Sequence, residues 1–257
     1  MKHKFAFFVL LLLLIVPSSV AAQPAPGENP PPVPGPPNHS GTMADFAVGV
    51  YQDTHDTWTR WFTYWEREDM YYAPYLIYAE PGTSAVSNCG GVTLGDPQEN
   101  KEFSPAFYCP YGGDIGSGGT TTTPVIYIST SWLYYELADV NPDNFDFAVA
   151  SLIAHEYGHH IEFLFGHTTL QGYTSEQVEL PADCLSGIWA NDAYTQGQLD
   201  ETDVEEAAIA AWNHGTDFPL EPGTPGDHGT REERVDAFMW GYNNNSPRGC
   251  FEQNFGW

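Results

Sequence analysis

Residues 151–166 read SLIAHEYGHHIEFLFG, and within them His155, Glu156 and His159 stand in the order H-E-x-x-H. On a helix, positions i and i+4 lie one above the other, so His155 and His159 project from one face. Two neutral imidazoles in that relation grip one Zn²⁺, and Glu156 lies beside the ion as a proton acceptor. Phe145, Phe147, Val149, Leu152, Ile153, Ile161 and Leu164 make this stretch apolar on nearly all sides, which predicts a central, buried helix. Asn141-Pro142-Asp143 supplies its start, so the helix runs from about Asn144 to Phe165, with Gly166 as its stop. Gly158 in mid-helix costs roughly 1 kcal/mol relative to alanine, and another segment is expected to pack closely there.

A catalytic zinc needs a third protein ligand and an open position. Glu179, twenty residues after His159, stands in Glu179-Leu180-Pro181-Ala182-Asp183. Glu179 and Asp183, at i and i+4, can share a helix face, so that Glu179 binds metal while Asp183 accepts the second imidazole N–H of a zinc-bound histidine. The alternative is an ordinary solvated acidic pair. The apolar residues that follow, Cys184, Leu185, Ile188 and Trp189, favour ligation.

The chain has 257 residues and a formal net charge of -26, from 34 acidic and 8 basic side chains. That field repels nucleic acid and anionic membrane surfaces, and it fits a soluble extracellular surface. Residues 1–22 read as an export signal: Lys2 and Lys4, an apolar run from Phe5 to Val16, then small residues suited to cleavage after Ala22. An uncleaved signal-anchor is the alternative, and the one route to membrane contact. Residues 23–42 are a Pro-rich linker expected to be extended, and 43–257 the folded domain.

Four cysteines in an exported chain favour two disulfides. Three pairings are open. Cys89 and Cys109 flank one loop, which favours Cys89–Cys109 with Cys184–Cys250. No C-x-x-C pair suggests a zinc role for cysteine, and no D-x-[DN]-x-[DN]-G loop marks a Ca²⁺ site.

Met43 to Trp65 carries Phe46, Val50, Trp58, Phe62 and Trp65 at helical spacing, with Asp45 and Asp56 off that stripe and Asp53 at its edge. Tyr75–Ala79 and Val125–Ser129 read as strands. Val86 to Thr123 reads as a long surface loop pinned by a disulfide, with Gly116–Thr123 its most mobile portion. Trp132–Leu137 reads as a short helical turn. Capping boxes at Thr202-x-x-Glu205 and Thr230-x-x-Glu233 open a helix of about ten residues and the last helix.

HEYGHH, then ELPADCLSGIWA, DHGTREERVDAF and a late cysteine, resemble the bacterial family of neutral zinc metallopeptidases. The likeness extends upstream to DTHDTWTRWF, Asn88-Cys89-Gly90 and Phe107-Tyr108-Cys109-Pro110, covering nearly everything from Met43 onward. The resemblance implies an α+β, zincin-like fold, mainly helical with a small sheet and a central active-site helix. It implies His155, His159 and Glu179 as ligands, Glu156 as catalytic base, and a glutamate-ligand arrangement similar to that of the gluzincins. Two departures stand out. The family usually has glutamine at position 181, and Pro181 fits a helix without strain only in its first turn, so the helix is expected to begin near Val178; an earlier start would require a kink. The Gly/Thr-rich insertion after Cys109 replaces a shorter, more regular segment.

The expected function is a secreted or cell-envelope peptidase acting on peptides or proteins through a zinc-activated water, with Glu156 as general base. The developing oxyanion needs a second donor; His228 is the candidate, its alternative being a helix-entry residue with local hydrogen bonds. Arg231 and Arg234 suit a substrate carboxylate or structural pairing. His160, His167 and His214 are expected to be non-ligands, His160 because it points away from the His155–His159 face. The competing classes are a catalytically silent zincin-fold binding or assembly module, against which the intact Glu156 argues, and zinc hydrolysis of a non-peptide amide or ester.

Overall fold

The fold is known from a computed structural model that describes residues 43–79, 88–89, 106–114, 119–129, 146–220, 224 and 227–253. The export signal, the linker, the helix start at 141–145 and the turn at Trp132–Leu137 lie outside the described residues. Helices dominate, and a three-stranded sheet lies beside them, which is the α+β composition expected.

Helix α1, Met43–Tyr64, buries Val50, Trp58 and Phe62 from the expected stripe. Asp53, at the edge of that stripe, is buried, and its carboxylate accepts the Trp189 indole N–H at 2.8 Å and the Gln198 amide at 3.2 Å. Two partners offset the desolvation that a buried carboxylate suffers.

Both expected strands form. Strand β1, Tyr75–Ala79, and strand β5, Val125–Ser129, run parallel, with Tyr75 opposite Val125. The reading of Val86–Thr123 as loop is corrected within its described part. Strand β2, Ala106–Cys109, pairs antiparallel with β5, Ala106 opposite Ile128, giving the order β1-β5-β2. Its ends Ala106 and Cys109 are buried, so packing on the sheet supplies what four residues of local propensity cannot. Two short strands, β3 at Gly113–Asp114 and β4 at Thr120–Thr121, pair with each other; β4 falls within the expected mobile tract.

Helix α2, Asp146–Phe165, carries the H-E-x-x-H residues through the core, burying Ile153, Ala154, Tyr157 and Ile161. Gly166 follows it with φ of 72°. Helix α3, Ser175–Thr195, packs against α2. Their backbones meet at Gly158, where a Cβ would lie 2.8 Å from the Ala182 carbonyl oxygen. The close packing expected at Gly158 is therefore present.

The start of α3 is corrected. It begins at Ser175, not near Val178, because Thr174 and Gln177 form a capping box. Pro181 is inside the helix, at its seventh residue. Its missing N–H would leave the Gln177 carbonyl unpaired, but the His167 ring donates to that carbonyl from Nε2 at 2.7 Å.

Helix α4, Glu201–Asn213, is also capped differently from expectation. Asp200 is the cap and Asp203 its reciprocal partner, in place of Thr202 and Glu205, and the helix has 13 residues. Aspartate accepts from the backbone as well as threonine does, which moves the start two residues earlier. Helix α5, Arg231–Asn244, opens with the expected Thr230–Glu233 box, but a further helix, α6, Pro247–Glu252, follows it. Cys184 of α3 and Cys250 of α6 form one disulfide, and Cys89 and Cys109 the other, the favoured pairing. Among the described residues, no helix is long and apolar enough to cross a membrane.

Candidate metal centre

Helix α2 contributes His155, Glu156 and His159; α3 contributes Glu179 and Asp183; the approach to α5 contributes His228. One ligand atom each from His155, His159 and Glu179 lies within 4.8 Å of the others. Both Nε2 atoms face the Glu179 carboxylate, that of His155 at 3.2 Å from Oε2 and that of His159 at 3.6 Å from Oε1.

Each ring is fixed from behind. The Nδ1 of His155 is 2.8 Å from Asp183 Oδ1, and the Nδ1 of His159 is 2.7 Å from Glu162 Oε2. A carboxylate on Nδ1 holds the proton there and leaves the Nε2 lone pair for a metal. Asp183 is held in turn by the buried Arg234, whose Nε and Nη2 each donate to one carboxylate oxygen at 2.8 Å. The Arg234 Nη1 reaches the His214 carbonyl at 3.3 Å. Two imidazole nitrogens and one carboxylate, with their outer partners in place, make a donor set that fits zinc with a fourth position to spare.

The electrostatics favour a cation. Burial disfavours the His155 imidazolium, yet Asp183 outweighs it and holds the ring up to about 9. Burial acts the same way on His159, and Glu179 and Glu162 raise it well above the ordinary histidine range. Burial pushes Glu179 upward, but His159, His155 and His228 hold its carboxyl well below the usual range. Burial likewise opposes charge on Asp183, and Arg234 and His155 bring it below its ordinary value. The negative field that keeps protons on the rings equally stabilises a divalent cation in their place. Glu156 is buried, and burial raises its carboxyl against the pull of His159 and His155. Burial pushes Glu162 up to about 7, against the attraction of His159.

The structure thus brings His155, His159, Glu179 and Asp183 into one centre. His228 joins them, its Nδ1 3.0 Å from Glu179 Oε2 and its side chain 49% exposed. The other histidines lie elsewhere. His160 donates from Nε2 to the Tyr72 carbonyl at 2.6 Å, and its Nδ1 is 3.1 Å from the Tyr108 hydroxyl. His167 serves the Gln177 carbonyl. His214 lines a cavity of about 20 Å³ behind His155, together with Ser151, Arg234 and Phe238. Arg234 proves to be the structural pair, and Arg231 binds Asp217, Nε to Oδ1 at 2.6 Å.

Sequence reasoning missed Glu162. The H-x-x-E spacing from His159 was its signal, since i and i+3 share a helix face. The Arg234–Asp183 pair spans 51 residues and leaves no local signature.

Residues 32–252 match the model of the family described as "Putative neutral zinc metallopeptidase". The chain belongs to this family. It is 29% identical over 226 residues to "Uncharacterized protein YpfJ" of Escherichia coli K12, covering 80% of this chain and 70% of that protein. It is also 29% identical over 185 residues to "Uncharacterized protein Rv2575" of Mycobacterium tuberculosis H37Rv, covering 63% of this chain and 59% of that one. No solved structure matches the chain. Membership of a zinc metallopeptidase family agrees with the donor set that His155, His159 and Glu179 provide.

Proposed function

We propose that the protein is an extracytoplasmic, zincin-like zinc peptidase in which His155, His159 and Glu179 hold the ion and Glu156 is the general base. The observation that carries this reading is the convergence of both Nε2 atoms on Glu179 while both Nδ1 atoms are held by carboxylates. Zinc, when bound, supplies Lewis acidity and lowers the pKa of water to about 7.

The chain's own residues do the rest. Glu156 precedes the second ligand by three positions, lies among the site's charged groups and has a raised carboxyl. A base nearer to neutrality both accepts a proton from water and returns it to the leaving amine. His228 contacts Glu179 through Nδ1, which leaves Nε2 for the carbonyl oxygen of the scissile bond. Asp183 and Arg234 keep His155 oriented throughout. Two disulfides in a chain with an export-type N-terminus support an extracytoplasmic setting.

The test is hydrolysis of a peptide library and an ester panel by the zinc-loaded protein, with and without a chelator, beside Glu156→Gln. Chelator-sensitive peptide cleavage that Glu156→Gln abolishes while zinc stays bound is expected. Equal cleavage by the two proteins would sink the mechanism, and cleavage confined to esters would replace the substrate class.

A further inference from the structure

The two carboxylates behind the histidines are not equivalent. Asp183 has a buried guanidinium on both oxygens. Glu162 is 1% exposed, and among the described residues its Oε2 meets only the His159 ring, at 2.7 Å, and its Oε1 has no hydrogen-bond partner. The five described arginines pair with other carboxylates: Arg60 with Asp192, Arg67 with Asp69, Arg231 with Asp217, Arg234 with Asp183 and Arg248 with Glu252.

A buried carboxyl oxygen without a donor is costly to the fold, because it is stripped of water with nothing in return. The chain nevertheless puts this carboxylate one imidazole away from the metal position, against the Nδ1 of His159.

We infer that Glu162 is a positioning residue for the metal: through His159 Nδ1 it fixes the ring with Nε2 toward Glu179 and so adds to the hold on a divalent cation. The inference rests on the zinc reading above. Glu162 acts on the ion only through His159 and touches no substrate.

Such a residue should move zinc affinity and the stabilisation that zinc confers. The test compares wild type, Glu162→Gln and Glu162→Leu by zinc competition against a chromophoric chelator and by thermal melts with zinc removed and at saturating zinc. Glu162→Gln should bind zinc roughly 10–100-fold more weakly, the usual loss for an outer partner of a ligand. Its zinc-induced rise in Tm should be smaller than that of wild type. Glu162→Leu, which loses the acceptor as well as the charge, should bind more weakly still. Zinc affinity within twofold of wild type in Glu162→Gln would overturn the inference. So would a zinc-induced rise in Tm equal to that of wild type. A wild type that binds no zinc would instead remove the metal reading itself, and the wild-type titration alone shows that outcome. If Glu162→Leu does not fold, Glu162→Gln decides.

Discussion

The Nε2–H of His167 donates to the carbonyl of Gln177 at 2.7 Å, the one carbonyl in helix α3 whose normal partner would have been the N–H of Pro181. A proline inside a helix is thereby accommodated by a ring from outside it. His167→Phe keeps the aromatic packing on Tyr173 and Phe251 but strands a part-buried carbonyl, and should cost about 1–3 kcal/mol in urea unfolding. Pro181→Ala returns an amide to Gln177, so His167→Phe should cost much less in that background. Equal costs in the two backgrounds would separate His167 from Pro181.

Glu179 is the point on which both Nε2 atoms converge. Glu179→Ala should purify with little or no zinc, while wild type carries one equivalent, by elemental analysis. Unchanged zinc in the variant would remove Glu179 from the site.

Arg234 and Asp183 form a buried, two-point ion pair. Arg234→Met leaves the Asp183 charge buried with only the His155 ring beside it, and should cost about 3–5 kcal/mol. Asp183→Asn in the same background should recover much of that stability, because no charge then remains to be desolvated. It should not recover zinc affinity, because His155 then lacks its charged partner. Chemical denaturation paired with zinc titration reads both.

Burial holds His160 down at about 4, with Nε2 given to the Tyr72 carbonyl. Its folded pKa is depressed, so between about 6.5 and 4 the unfolded chain takes up the proton and the folded chain does not. Stability from this group is complete above pH 6.5 and falls as pH drops toward 4, by up to about 3 kcal/mol. His160→Gln should flatten the stability–pH curve over that window, measured by urea midpoints at each pH. An identical slope in the variant would refute the assignment.

The H-E-x-x-H helix, the third candidate ligand and Asp183 were legible because each is a short-range pattern: i and i+4 on α2, i and i+4 on α3. Gly158 was legible for the same reason, as a local cost that only a neighbour explains. Strand β2 was not, because four residues in a Gly- and Thr-rich tract carry little periodicity and owe their order to the sheet. The start of α3 was misplaced because proline was weighed without its neighbours. Thr174-x-x-Gln177 was readable as a capping box, but the ring that makes Pro181 tolerable comes from ten residues before Gln177. The cap of α4 was misplaced because Asp200 accepts from the backbone as well as Thr202 does, and only the three-dimensional start decides between them.

The contact between Gly158 and the Ala182 carbonyl has a last consequence. Two of the three candidate ligands ride on one helix and the third on the other, so the gap between the helix axes sets the distance between them. Metal sites tolerate ligand-distance errors of only about 0.2 Å. A single methyl at position 158 would press on the Ala182 backbone and move the candidate ligands relative to one another without altering any of them.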